Sequence, residues 1–409
     1  MKKLFFTLFF LAVIFSAIAQ NPTCDGNRYK NFAFGAIDST INVQYGQNYT
    51  MNNVLDTLLM DIYQPKSDVA TKRPLIIIIH GGGFTSGTKE FYSSLCRYFA
   101  YKGFVTATIN YRLIDVPLVD SLTITEAMIK AMSDAKAAIR FFVEDAATNN
   151  TYKIDTNNIF LEGGSAGAMT ASQVAYLDSS DNISTYIMNL IMANGGFKGN
   201  SSTNTSYSTP IKGVISYSGA LWRKEWISPG EPALFCAHDD LDTIVPCNYG
   251  LSKAQPFAVY FYGSCAMQQE ADLKGVYNII YINNSSSGHM AYFGPPAIKD
   301  TLLQKTSNFL YDIICNNILS IKNDQRNIDS KIQLYPNPAK DRLTVQLSDF
   351  DFSKKIKLTI VNTQGQTIKQ ILIYDSLTNI KLDNIASGVY FYQLQNNDAI
   401  LKTGKIIIV

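Results

Sequence analysis

Short unbroken apolar runs alternate with longer stretches of helical periodicity from about residue 30 to residue 318. Leu75 to Ile79 is a continuous apolar run, and Phe104 to Tyr111 (FVTATINY) is a second strand candidate. Asn158 to Glu162, Gly213 to Tyr217, Ala233 to Ala237 and Tyr277 to Ile282 extend the series. Strands without a polar face suit a sheet covered on both sides, which implies parallel strands joined by crossover helices. Between them, Ile124 to Glu144 carries Ala127, Ile129, Ala131, Met132, Ala135, Ala138, Ile139 and Phe142 at helical spacing. Leu302 to Ile314 reads as a last helix. Repetition of strand, helix and strand predicts an open α/β fold, a mostly parallel sheet with helices on both faces.

The pattern changes near the C-terminus. Leu319 to Ser330 is polar, charged and without period, which predicts a linker over residues 319–330. From Lys331 onward the strands are short and alternating: Leu343 to Leu347, Lys357 to Val361, Thr367 to Ile373, Val389 to Gln395 and Lys405 to Val409. Turn residues separate them at Asn337-Pro338, Gln364-Gly365, Ser387-Gly388 and Asn396-Asn397-Asp398. Residues 331–409 are therefore expected to form a small all-β, Ig-like sandwich. A carbohydrate-binding module is the competing reading, but this segment has no Trp, His or Cys.

At the other end, Lys2 and Lys3 precede the apolar stretch Leu4 to Ile14, and Ala17-Ile18-Ala19 offers a small-residue cleavage site. This order predicts a signal peptide over 1–19, leaving residues 20–318 as the candidate catalytic domain. No later segment is apolar enough to cross a bilayer, so no transmembrane segment is expected. Export makes disulfides possible. The six cysteines (Cys24, Cys96, Cys236, Cys247, Cys265, Cys315) allow up to three bridges of unspecified pairing, with buried free thiols as the alternative. No pair has CxxC spacing, which argues against metal binding and thiol redox chemistry. The net charge of +2 and the absence of a basic stripe argue against nucleic acid as a partner.

Gly163-Gly164-Ser165-Ala166-Gly167 fits GxSxG, and its surroundings matter more than the match. An apolar strand runs into it and a helix of small residues follows. A nucleophile elbow needs this order, because the serine occupies a crowded strand-to-helix turn. His80-Gly81-Gly82-Gly83-Phe84 directly follows another apolar strand. Its glycines let backbone N–H groups approach a developing oxyanion, and Gly82 and Gly83 are expected to donate together with Ala166.

The chain has three histidines. His80 belongs to the glycine loop, and His238 is expected to be structural. His289, in the loop Ser285-Ser286-Ser287-Gly288-His289 after the last strand, is the candidate base. Three carboxylates, Asp239, Asp240 and Asp242, follow the strand Ala233 to Ala237. Asp242 is preferred as the acid for its spacing to Val245-Pro246, with Asp240 second. The order Ser, Asp, His is that of α/β hydrolases.

Together these residues resemble the carboxylesterase/lipase branch of the α/β-hydrolase superfamily that carries an HGGG oxyanion loop. That branch includes hormone-sensitive-lipase-like enzymes, type B carboxylesterases and exported acetyl-xylan or feruloyl esterases. Asn110-Tyr111-Arg112-Leu113 and Gly263-Ser264 are similar to structural motifs of these esterases. Asp239 stands where such enzymes commonly carry Gly. The segment with Tyr335-Pro336-Asn337-Pro338-Ala339, Gly388-Val389-Tyr390-Phe391 and Gly404-Lys405 resembles the type A sorting domain of the type IX (Por) secretion system of Gram-negative bacteria. That resemblance implies passage across both membranes to the surface or exterior, with the secretion machinery as partner.

The expected function is a secreted serine carboxylic-ester hydrolase needing no metal or cofactor. Its substrates would be small esters or acetyl or feruloyl esters of polysaccharide. Alternatives are an exported serine peptidase of prolyl-oligopeptidase type and a non-catalytic, surface-displayed binding protein. Two features remain open: Asn194 to Thr209 reads as a solvated loop or a lid, and Trp222 and Trp226 read as pocket residues or packing.

Overall fold

The computed structural model describes residues 24–253, 259–316, 332–348, 356–383, 385–396 and 399–409. The expected signal peptide and linker lie outside these residues. The order of elements is β1 (Ile37–Tyr49), β2 (Leu55–Pro65), β3 (Arg73–Ile79), α1 (Ser93–Tyr101), β4 (Val105–Ile109) and α2 (Ser121–Ala147). Then come β5 (Ile154–Gly164), α3 (Ala166–Tyr176), α4 (Thr185–Ala193), β6 (Gly213–Tyr217), β7 (Ala220–Leu221) and β8 (Ala233–Asp239). The hairpin β9 (Tyr249–Ser252) and β10 (Val259–Gly263), α5 (Ser264–Lys274), β11 (Asn278–Asn283) and α6 (Pro296–Cys315) complete this part.

Eight strands form one sheet in the order β1-β2-β4-β3-β5-β6-β8-β11. From β4 to β11 neighbouring strands are parallel, whereas β1 and β2 join antiparallel. Alternation along β3 divides two cores. Leu75, Ile77 and Ile79 pack with α2, α3 and α5, while Ile76 and Ile78 pack with α1 and α6. Every residue of β3 is buried, which is why the strand reads as an unbroken apolar run. Strand order reverses around β3, which lies between β4 and β5. Ligands of open α/β sheets bind at such a switch point, beyond the carboxyl ends of the strands.

The sequence expectation missed β1 and β2. β1 alternates little, is exposed along most of its length and carries two register shifts against β2. It also missed the three-stranded sheet β7-β10-β9, whose strands are two to five residues long.

The segment from residue 194 to 209 is fastened by buried charge. Arg112 Nη2 meets Asp134 Oδ1 at 2.7 Å, and the Arg112 N–H donates to Asp134 Oδ2 at 2.9 Å. Arg112 Nη2 also donates to Ser201 Oγ at 3.0 Å, and Arg140 Nη2 to Ser202 Oγ at 2.8 Å. Asn204 Nδ2 reaches Glu144 at 2.8 Å. A buried, multiply bonded ion pair holds its neighbours in place, so the stretch from Lys198 to Asn204 is anchored to α2.

Two of the three possible disulfides are present. Cys24–Cys315 ties the start of the described chain to the end of α6, and Cys247–Cys265 clamps the segment after β8 to α5. Cys96 and Cys236 are buried free thiols, and burial pushes the Cys236 thiol up to about 12.

The C-terminal strands are β12 (Ile332–Tyr335), β13 (Arg342–Leu347), β14 (Ile356–Val361), β15 (Thr367–Ile373), β16 (Leu377–Lys381), β17 (Gly388–Asn396) and β18 (Ala399–Ile408). They form two antiparallel sheets, β12-β13-β16 and β15-β14-β17-β18, around one apolar core. This is the expected small all-β domain. β12 and β16 were not expected from sequence.

Two stability predictions follow from buried charge. Arg112→Met leaves Asp134 buried without its partner and should lower unfolding free energy by about 3–5 kcal/mol in urea titrations. Glu162 is completely buried in β5, and burial raises its carboxyl from 4.5 to about 8. The folded state holds this proton more tightly than the unfolded chain. Its contribution is therefore full below about pH 4.5 and is lost as pH rises through about 8. Glu162→Gln should remove that decline, read as a Tm difference from wild type that grows between pH 5 and pH 9.

Candidate active site

Four loops at the carboxyl ends of β3, β5, β8 and β11 converge on one point. β5 ends in Gly163-Gly164, and Ser165 turns the chain into α3 with φ 53° and ψ −120°. A left-handed serine is sterically costly and persists only where its surroundings enforce it. Here the enforcement is crowding. A Cβ on Gly163 would lie 2.3 Å from the Gly167 carbonyl carbon, and one on Gly167 would lie 2.0 Å from the Ile79 carbonyl oxygen. The Ser165 N–H donates to the Tyr217 carbonyl at 2.8 Å, tying the elbow to β6.

His289 Nε2 lies 2.8 Å from Ser165 Oγ, and its Nδ1 lies 2.7 Å from Asp242 Oδ2. The other carboxylate oxygen of Asp242 accepts the N–H groups of Ile244 at 2.8 Å and Val245 at 3.0 Å. Asp242 is thus fixed on both oxygens, and such a chain can pass a proton from Oγ to the imidazole while the carboxylate balances the charge.

The rival carboxylates are engaged elsewhere. Asp240 Oδ1 accepts the Ser286 N–H at 3.0 Å, and backbone donors from Ser285 and Ser286 hold its pKa below the ordinary value. Asp239 bonds Asn283 Nδ2 and accepts the Ala291 N–H at 2.9 Å, so it braces the loop that carries His289. This bracing role was not legible in the sequence, where Asp239 registered as a departure from glycine.

His238 is buried. Its Nδ1 pairs with Ser264 Oγ at 2.8 Å, its Nε2 donates toward the Val245 carbonyl at 2.9 Å, and burial lowers its pKa. The expected structural role fits these contacts. His80 is also buried and stacks on Tyr111 with ring centroids 4.4 Å apart. Tyr111 Oη donates to the His80 carbonyl at 3.0 Å, and Asn110 Oδ1 accepts the Lys89 N–H at 2.7 Å. The Asn110–Arg112 motif therefore secures the glycine loop from behind.

That loop faces Ser165. Gly82 has φ 118° and Gly83 has φ 60°. A Cβ on Gly82 would sit 2.0 Å from the Ser86 carbonyl oxygen, so the position requires glycine. Gly82, Gly83 and Ser165 line a cavity of about 690 Å³ with Phe91, Tyr92, Leu95, Tyr98, Met290 and Phe293. Gly83, Ser165 and Ala166 also line a smaller apolar recess with Phe84, Met169 and Phe261. Tyr92 and Met290, which touch the elbow at Gly164, carried no sequence signal. Trp222 and Trp226 pack edge-to-face at 6.1 Å in the core and line neither space, so packing is their role.

Among the described residues no cluster of three or more His, Cys, Asp or Glu could hold a metal, and no helix is long and apolar enough to cross a membrane.

Comparison with known proteins places these observations. Residues 60–221 match the family model BD-FAE, and residues 333–409 match the model described as secretion system C-terminal sorting domain. Gut esterase 1 of Caenorhabditis elegans is 30% identical over 146 residues, covering 35% of this chain and 25% of that protein. Probable carboxylesterase 6 of Arabidopsis thaliana is 26% identical over 193 residues, covering 44% of this chain and 54% of that protein. The chain thus spans about a quarter to a half of these relatives. Esterase 2 of Thermogutta terrifontis, in the structure phosphorylated by paraoxon, superposes with a TM-score of 0.50 at 19% identity. The superposition covers 69% of this chain and 95% of that one, and it shows a shared fold. A sorting domain of the matched kind addresses a chain to the cell surface or exterior. The two family models thus match separate parts of the chain, BD-FAE within the α/β part over residues 60–221 and the secretion system C-terminal sorting domain over the all-β part at residues 333–409.

Proposed function

We propose that this chain is a secreted serine carboxylic-ester hydrolase, with residues 20–318 as the catalytic domain. The observation that carries the reading is the continuous hydrogen-bonded line Ser165–His289–Asp242, at 2.8 and 2.7 Å, facing an open cavity. Ser165 Oγ attacks the ester carbonyl carbon while His289 Nε2 takes its proton. Asp242 accepts the Nδ1–H of His289 and stabilises the imidazolium. The carbonyl electron pair moves onto oxygen, where the N–H groups of Gly82, Gly83 and Ala166 receive the charge. Collapse expels the alcohol, protonated by His289, and leaves an acyl group on Ser165. Water, deprotonated by His289, then releases the acid and restores the serine.

Acetyl or feruloyl esters of polysaccharide suit an exported enzyme, and small esters fit the same chemistry. The sorting domain would deliver the catalytic domain through the type IX machinery. The paraoxon adduct reported for the Thermogutta esterase supports the use of a phosphorus reagent as a test.

Ser165→Ala should reduce hydrolysis of p-nitrophenyl acetate by at least about 10⁴-fold while circular dichroism stays unchanged. Retained turnover in a folded variant overturns the assignment. A fluorophosphonate probe should label wild type at Ser165, identified by peptide mass spectrometry, and should leave the alanine variant unlabelled. Asp242→Asn should lower kcat by about 10³–10⁴-fold, because the amide misorients the imidazole tautomer. Asp240→Asn should stay within about twofold. The reverse pattern in kcat would move the acid to Asp240.

A further inference from the structure

The 690 Å³ cavity is walled by the glycine loop, by Ile244, Met290 and Phe293 from the loops that carry Asp242 and His289, and by side chains from the regions of α1 and α6. Phe91 and Tyr92 stand just before α1, which contributes Leu95 and Tyr98, and α6 contributes Lys299 and Leu303. Lys299 and Leu303 are four residues apart, so they lie one above the other on the same face of α6. Lys299 is half-buried, and its ammonium makes no ion pair, hydrogen bond or ring contact among the described residues. No Asp or Glu lines the cavity among those residues. Apart from His289, the remaining polar groups on its wall are neutral hydroxyls and backbone. Asp300, next along α6, is exposed and does not line the cavity, so Lys299 is the cationic side chain on a largely apolar wall and adds positive potential to the space.

Resting on the esterase reading of Ser165, we infer that Lys299 selects esters whose larger moiety carries a carboxylate. The aromatic wall takes the body of that moiety, and the ammonium at the rim takes its charge. Lys299 is a specificity-determining residue and takes no part in acyl transfer.

The test compares 3-acetoxybenzoate with 3-acetoxybenzamide, which share the acyl group and ring but differ in charge. Lys299→Met keeps the apolar stem and removes the charge. It should lower kcat/KM for the benzoate by about tenfold, through KM, and leave the benzamide within about twofold. Lys299→Arg should retain most of the benzoate preference, and added salt should weaken that preference in wild type. Equal effects of Lys299→Met on both substrates, or none on either, overturn the inference. Calorimetric binding of 3-acetoxybenzoate to Ser165→Ala, with and without Lys299→Met, separates this inference from the hydrolase reading. Binding weakened about tenfold by Lys299→Met upholds the charge selection even where wild type fails to turn over any ester. Binding indifferent to Lys299 overturns it.

Discussion

The arrangement depends on one steric constraint: a strand, a helix and the end of a second strand meet with no room for a side chain between them. Gly163 in β5 abuts Gly167 in α3, and Gly167 abuts the Ile79 carbonyl at the end of β3. With those contacts closed, the residue at the apex can only be left-handed, and Ser165 is. The same contacts draw the end of β3 against the elbow, so the glycine loop that continues β3 is delivered beside Ser165. Close packing of backbone against backbone thereby sets the relation between the hydroxyl and the loop's N–H groups. The Tyr111 side chain, stacked on His80 and bonded to its carbonyl, then holds the loop in that place.

His289 and Asp242 are positioned differently, because both ride on loops. Loops have few packing contacts of their own and need fasteners. Asp239 bonds across to Asn283 and Ala291, on either side of His289. His238 bridges Ser264 and the Val245 carbonyl, and the Cys247–Cys265 bond closes the other side of the Asp242 segment. Gly263 completes the clamp, since a Cβ there would sit 1.8 Å from the Pro246 carbonyl oxygen. The imidazole and its carboxylate are therefore held by polar and covalent links where the serine is held by crowding.

This difference explains what could be read in the sequence. Crowding leaves a local signature, because glycines must stand at fixed offsets from the serine and from the end of β3. The fully buried strands were legible for a related reason: burial on both faces forces an unbroken apolar run. β1 and β2 left no such mark, since β1 is largely exposed and held by antiparallel pairing rather than composition. The fasteners were illegible because each joins residues distant along the chain, such as Asp239 with Ala291 or Arg112 with Ser201. Trp222 and Trp226, open between pocket and packing in the sequence, belong to the core. Two large aromatics near a site suggest a pocket, but burial area alone accounts for them.

The anchoring of residues 198–204 has a consequence for substrate choice. Arg112 and Arg140 hold this segment down through Ser201 and Ser202, and it contributes nothing to the cavity wall. Entry to Ser165 is instead bounded by residues 81–98 on one side and by Met290, Phe293 and the first turns of α6 on the other. The glycine loop among these is committed to chemistry, and the residues beside His289 are committed to placing it. The start of α6 and, beside α1, Phe91 and Tyr98 carry neither duty, whereas Tyr92 touches the elbow at Gly164. The former are the part of the wall where sequence can vary without disturbing the elbow, so under the proposed ester hydrolysis discrimination among substrates is expected to be written there.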